Sequence, residues 1–132
     1  MDGFKGFEDI LAWQKARTIV SGLRKEVYGG PAKADFEFRN QIMRAAYSVM
    51  SNIAEGYERG GNTEFKHFLA IAKGSAAEVK SLLYVALDAG YVKEMGFNDF
   101  RNKLSEISAM LTGLIKHINN SSMKGFKYKK KT

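Results

Sequence analysis

The sequence predicts an all-α protein, an antiparallel up-down-up-down four-helix bundle. Three observations lead there. No stretch alternates apolar and polar residues at the period of a strand. Glycine pairs and the single proline cut the chain into four long segments with little turn chemistry inside them. Within each segment apolar residues recur at ~100° per residue, the helical period. Segments of about 22–28 residues are roughly twice the average helix, and short links between them make neighbours antiparallel.

The first segment runs from Phe7 to Tyr28. Ala12, Ala16, Ile19, Val20, Leu23 and Val27 share one side, and Phe4, Phe7, Ile10 and Leu11 widen the apolar surface at its start. "GGPAKA" ends it, since glycine weakens a helix and proline disfavours helix in the residue before it. Asp35 is placed to cap the second segment. Its inner face is Phe38, Ile42, Ala45, Ala46, Val49, Ile53, Gly56 and Tyr57, and Gly60-Gly61 stops it. Asn62 or Thr63 is expected to cap the third, whose stripe is Phe65, Phe68, Leu69, Ala72, Ala76, Val79, Leu83 and Ala86, ended by Gly90. Asn98 is expected to cap the fourth, with Phe97 as its apolar neighbour. Phe100, Leu104, Ile107, Leu111, Leu114, Ile115 and Ile118 form the cleanest stripe in the chain.

The 132 residues suit one domain and can bury a single core. Cysteine is absent, which excludes disulfides and thiolate metal sites and fits a reducing compartment. No signal-peptide pattern and no long apolar run appears, so the expectation is a soluble, cytoplasmic protein without a membrane partner. The formal charge is +7, from 21 Lys and Arg against 14 Asp and Glu. Five of those lysines, Lys124, Lys127, Lys129, Lys130 and Lys131, lie between Ser121 and Thr132, leaving 16 basic against 14 acidic residues elsewhere. The division read from this is a bundle over residues 1–120 and a basic, flexible tail over 121–132. The charge points towards a polyanionic partner only through that tail.

One helix face stands out. Stepping ~100° per residue from Ser48 places Gln41, Arg44, Asn52, Glu55 and Arg59 on a single polar line beside the apolar arc of the second segment. Glu55 and Arg59 have the favoured i,i+4 order for an ion pair. Gly56 lies at the junction of line and core. It costs a helix interior about 1 kcal/mol relative to alanine, which predicts a close approach by a neighbouring backbone. Gly74 is expected to serve the same purpose on the third segment. The line reads either as a solvated face with ordinary ion pairs or as a half-buried seam at a subunit contact. Two arginines around one glutamate largely neutralise themselves, which disfavours a phosphate site.

"FEDILAWQKA" (Phe7 to Ala16), "QIMRAAYSVMSNIAEGYERG" (Gln41 to Gly60), "EFKHFLAIAKGSAAE" (Glu64 to Glu78) and "LDAGYV" (Leu87 to Val92) occur in this order. Together they resemble the small four-helix-bundle family encoded by intervening sequences within bacterial large-subunit ribosomal RNA genes, some members of which carry a ribosomal-protein label. The likeness covers roughly residues 4 to 118. It implies a homopentamer, and a relation to the accessory protein of diversity-generating retroelements, a basic pentameric barrel that binds nucleic acid and a reverse transcriptase. The intervening-sequence members have no established biochemical activity. Matching signature positions are Trp13, Gln41, Arg44, Ser48, Asn52, Glu55, Gly56, Arg59, Gly74, Ser75 and Glu78. Met50 departs from it, standing where family members often have a small residue or proline. The lysine tail lies outside the signature. A bundle that meets two copies of itself in a ring needs a heterologous contact, and the polar line beside Gly56 suits either that contact or the ordering of the bundle itself.

Catalytic and cofactor chemistry is not expected. Glu64-x-x-His67 has the di-iron ligand spacing, but that site needs a second such pair, and His117 follows Leu114. There is no phosphate-cradling glycine loop, and Ser48, Ser51 and Ser75 have no histidine near in sequence. Trp13, with Arg17 one turn on, suits core packing or a subunit contact. In the tail, Tyr128 and Phe126 alternate with lysines, a composition that neutralises phosphates and stacks on unpaired bases, and equally one that only solubilises a terminus. The function expected is that of a non-enzymatic homo-oligomer binding RNA or DNA electrostatically, as a scaffold that also meets a nucleic-acid-processing protein. The alternative is a structural or protein-interaction module with no nucleic-acid role.

Overall fold

The structure, a computed structural model, describes residues 3–120; the lysines of the tail lie outside them. Among the described residues there are four long helices and no strand: α1 Leu11–Gly29, α2 Phe36–Arg59, α3 Asn62–Asp88 and α4 Glu94–Asn119. Each helix packs on its neighbours in sequence, and α1 closes against α4. Cross-links from Arg24 to Tyr47, Ser48 to Ser75, Lys80 to Ser105 and Lys15 to Glu106 run in antiparallel register. The expected up-down-up-down bundle is the fold.

A single apolar core fills the bundle. The inward residues read from the sequence are buried, apart from Phe4, Phe7, Val20, Phe68 and Ile115, half-buried at its margins, and Leu11, which is turned out to solvent at 53% exposure. On α3 the stripe is narrow and small-residued, with Ala72 and Ala76 at 0% exposure.

The helix ends divide into those set by local chemistry and those set by packing. Asp35 caps α2 as expected, its carboxylate accepting from the Phe38 N–H at 3.2 Å. Gly60, at φ 87°, ends α2 in the left-handed region open to glycine. Gly90, at φ 76°, ends α3 in a Schellman turn, with Tyr91 N–H donating to Ala86 O at 2.8 Å and Gly90 N–H to Leu87 O at 3.1 Å.

Three expected starts are corrected. The first segment does not begin as α-helix at Phe7. Phe7–Asp9 forms a separate 3-10 turn, and the extended Ile10 leads into α1. Ile10 is thereby turned into the core, at 2% exposure. Neither Asn62 nor Thr63 caps α3: Gly61 is the N-cap, Asn62 is already helical, and the Glu64 side chain folds back over Gly61. Asn98 does not cap α4, which begins a turn earlier behind Lys93. The reason is Phe97, which continues the stripe of Phe100 and Leu104 backwards and packs edge-on against Tyr84 at 4.9 Å. Burying that ring outweighs a cap worth about 1 kcal/mol.

Gly56 meets the expected close approach, but from a side chain. A Cβ there would lie 2.6 Å from the Phe68 Cβ and 3.3 Å from Phe65 Cδ1. Gly74 has open space in that direction, so the same expectation fails for it. The pair makes opposite predictions. Gly56→Ala forces α2 and α3 apart at an overpacking cost of about 1–3 kcal/mol, enough to cancel or exceed the ~1 kcal/mol gained in helix propensity. Gly74→Ala gains that propensity without a clash. In urea denaturation the midpoint is expected to fall for the first and rise for the second.

Tyr91, just after α3, donates its hydroxyl to the Asp35 carboxylate at 2.5 Å. This bond, then the Phe38 N–H, hold the Asp35 carboxyl below its ordinary 3.8. The same bond, followed by burial and the nearby charge, raises Tyr91 above its ordinary 10.0. Folding thus favours the ionised Asp35. Its stabilisation is complete above the ordinary carboxylate pKa and is lost as pH falls through the lower folded value. For Tyr91 the sign reverses, and stabilisation fades as pH rises through the raised value. Tyr91→Phe is therefore expected to melt below the wild type at neutral pH. The gap should close in strong acid and again in strong alkali, as read by circular dichroism melts across pH.

Candidate functional site

The polar line on α2 resolves into three parts. At its centre, Ser48 and Asn52 are half-buried and face α3. The Ser48 hydroxyl pairs with that of Ser75 at 2.7 Å, and Asn52 Nδ2 donates to both the Ser48 carbonyl and its Oγ at 2.8 Å. Serine at 48 and 75 is small enough for the helices to meet over the bond, and Asn52, one turn on, binds the same hydroxyl. These three side chains form a hydrogen-bonded clasp between α2 and α3.

Towards the end of α2, Arg59 and Glu55 make the expected ion pair at 2.9 Å, both about half exposed. Such a pair contributes only a few tenths of a kcal/mol. Arg59 also lies over the Phe68 ring at 5.0 Å, the ring that fills the space at Gly56. Towards the start of α2, Gln41 and Arg44 are exposed and line an open groove of about 470 Å³ with Glu37, Asn40, Ala45, Ser48 and Glu78. The line is thus tied to the bundle at its middle and open at its beginning. Gly74 lies exposed beside Ser75 on the outer side of α3.

Trp13 is half-buried, edge-on to Phe7 at 5.1 Å and within 6.0 Å of the Arg17 guanidinium. It lines a groove of about 710 Å³ between α1 and α4, beside Arg17, Lys25 and Lys103. His67 is exposed, edge-on to Phe68 at 5.5 Å. Among the described residues no three His, Cys, Asp or Glu side chains gather as a metal site.

One constellation was not legible beforehand. Arg24 and Tyr28 from α1 meet Phe36, Arg39 and Tyr47 from α2. Arginine and aromatic residues lie three and four apart on each helix, which is the available sequence signal. Only the antiparallel pairing of α1 with α2 brings the two sets together.

The fold and this side-chain arrangement define a small antiparallel helical bundle with a polar clasp between its two central helices. The chain belongs to the 23S rRNA-intervening sequence protein family, whose model matches residues 8–113. It also shares its fold with a protein of unknown function from the S23 ribosomal protein family of Bacteroides thetaiotaomicron. That likeness has a TM-score of 0.72 at 24% sequence identity, covering 80% of this chain and 99% of the other. No curated protein matches the sequence. Among the described residues no helix is long and apolar enough to cross a membrane.

The clasp makes a direct prediction. Ser48→Ala and Ser75→Ala should each destabilise the bundle by about 1 kcal/mol, and the double variant should cost less than their sum, because one lost bond is shared. A double-mutant cycle by urea denaturation reads the coupling.

Proposed function

We propose that this protein is a non-enzymatic, homo-oligomeric bundle that binds RNA or DNA electrostatically and acts as a scaffold. The observation that carries the reading is the placement of charge. The five lysines of residues 121–132 supply most of the +7, with no acid among them. Such a segment neutralises phosphates and releases counterions whatever the sequence it meets. Family membership, through the 23S rRNA-intervening sequence it is named for, fits a polyanionic partner.

Self-association is favoured by the outer side of α3. Ala70, Gly74, Ala77 and Ser81 are exposed there, flanked by Ile71 at 39% and Val85 at 47% exposure. Small residues at this spacing let a second helix approach closely. A ring of copies, the pentamer that the family resemblance suggests, would place the basic tails together and multiply weak phosphate contacts through avidity. The non-enzymatic reading is supported by where the displaced titratable groups lie. Asp35 and Tyr91 join helix ends, and Tyr57 donates to the Phe4 carbonyl at 3.2 Å to hold the N-terminal segment.

The test is a fluorescence-anisotropy titration of structured RNA and duplex DNA, with the mass of the same sample read by light scattering. Affinity is expected to fall steeply between low and physiological salt. A chain ending at Asn120 should bind much more weakly, and the intact chain should run as an oligomer. Binding that ignores ionic strength, or a complete lack of binding at low salt, would overturn the nucleic-acid reading. The interaction-module alternative would then lead.

A further inference from the structure

Resting on that nucleic-acid reading, we propose that the groove between α1 and α2 is a docking surface for an unpaired strand, built from Arg24, Arg39, Arg44, Tyr28, Phe36 and Tyr47. The guanidinium of Arg24 lies 4.9 Å from the Tyr28 ring centre and donates to the Tyr47 hydroxyl. That of Arg39 lies 5.2 Å from Tyr28 and 4.5 Å from Phe36. It is held by a bond from its Nη1 to the Lys33 carbonyl at 3.0 Å, while its Nε has no partner. Tyr28 and Tyr47, which these two arginines touch, line a groove of about 470 Å³ together with Arg44.

Two features separate this patch from an ordinary solvated face. The first is charge. The ion pairs among the described residues join Lys15 to Glu106, Arg59 to Glu55 and Lys103 to Asp99, and none involves these three arginines. Glu37 and Glu78 line the neighbouring groove that Arg44 also borders, without pairing with it. Arg24 and Arg39 gather around Tyr28, which with Arg44 lines the groove, and none of the three cations is held in an ion pair among the described residues. The second is pre-organisation. Stacking on rings fixes the guanidinium planes at little further entropic cost, and Phe36 remains 61% exposed.

Planar cations and an open ring are what single strands use. Phosphates meet the arginine edges, and splayed bases stack on guanidinium or aromatic planes. A duplex hides its base faces and gains only the phosphate contacts. From Phe36 to Tyr47 the patch spans about 16 Å of α2, room for a few nucleotides. A second copy meeting this patch through the same face would bury these cations against like charge, so the patch suits a phosphate backbone better than a self-pairing contact.

The test compares a labelled single-stranded RNA with its duplex, using the intact chain, the chain ending at Asn120, and two full-length variants. One variant is Arg24→Gln with Phe36→Ala, both on exposed side chains. The other adds Arg39→Gln, with a melting curve to confirm folding. The double variant is expected to lose about tenfold or more in single-strand affinity and the preference for single strand over duplex. Truncation should weaken both ligands while leaving the preference in place. A double variant that keeps the preference overturns the proposal, as does one that drops to a smaller mass with unchanged affinity, which would assign the patch to self-contact. Failure of the intact chain to bind either ligand at low salt overturns the broader nucleic-acid reading as well.

Discussion

The close meeting of α2 and α3 is the constraint on which the rest of the bundle depends. At Gly56 there is no room for a side chain, because the Phe68 Cβ occupies the place where one would begin. Further along, Ser48 and Ser75 are joined by a hydrogen bond of 2.7 Å. Small residues at these positions set the separation of the two helices. A polar bond tightens it where the apolar arc ends. With α2 and α3 fixed at this distance, Phe65, Leu69 and Ile53 are sealed from solvent, and Arg59 is carried over the Phe68 ring.

The outer helices follow from that central pair. The Pro31–Ala34 turn and the Asp35 cap swing α1 back along α2, and the Schellman turn at Gly90 swings α4 back along α3. Tyr91 then ties the second link to the first through Asp35, so both connections at that end of the bundle share one hydrogen bond. At the opposite end Tyr57 ties α2 to the segment before α1 through the Phe4 carbonyl. Polar contacts thus fasten the two ends and the middle, and the apolar core fills the space between them.

This construction leaves two outer surfaces with different chemistry. The outward side of α3 is small and weakly polar, which favours a close contact with another helix. The α1–α2 groove carries arginines stacked on aromatic rings, and none of them is held in an ion pair among the described residues. In the function proposed above, the first would meet a copy of the same chain and the second a polyanion.

Much of this was written in the order of residues. The four helices, their inward faces, the Asp35 cap, the glycine stops and the Glu55–Arg59 pair depend on neighbours three or four apart, and the helical period exposes them in any sequence reading. The starts of α3 and α4 did not follow from local capping chemistry: at α4 burial of Phe97 outweighs a cap, and at α3 the cap is Gly61, with the Glu64 carboxylate lying over it. Gly56 and Gly74 look alike along the chain, yet one faces a phenylalanine and the other open space. The Ser48–Ser75 clasp and the arginine–aromatic groove join residues from different helices. The sequence by itself determined the helices and their buried faces, since those rest on short-range periodicity. The tertiary structure alone decided which polar and aromatic side chains meet, because that depends on the rotation and register of one helix against the next.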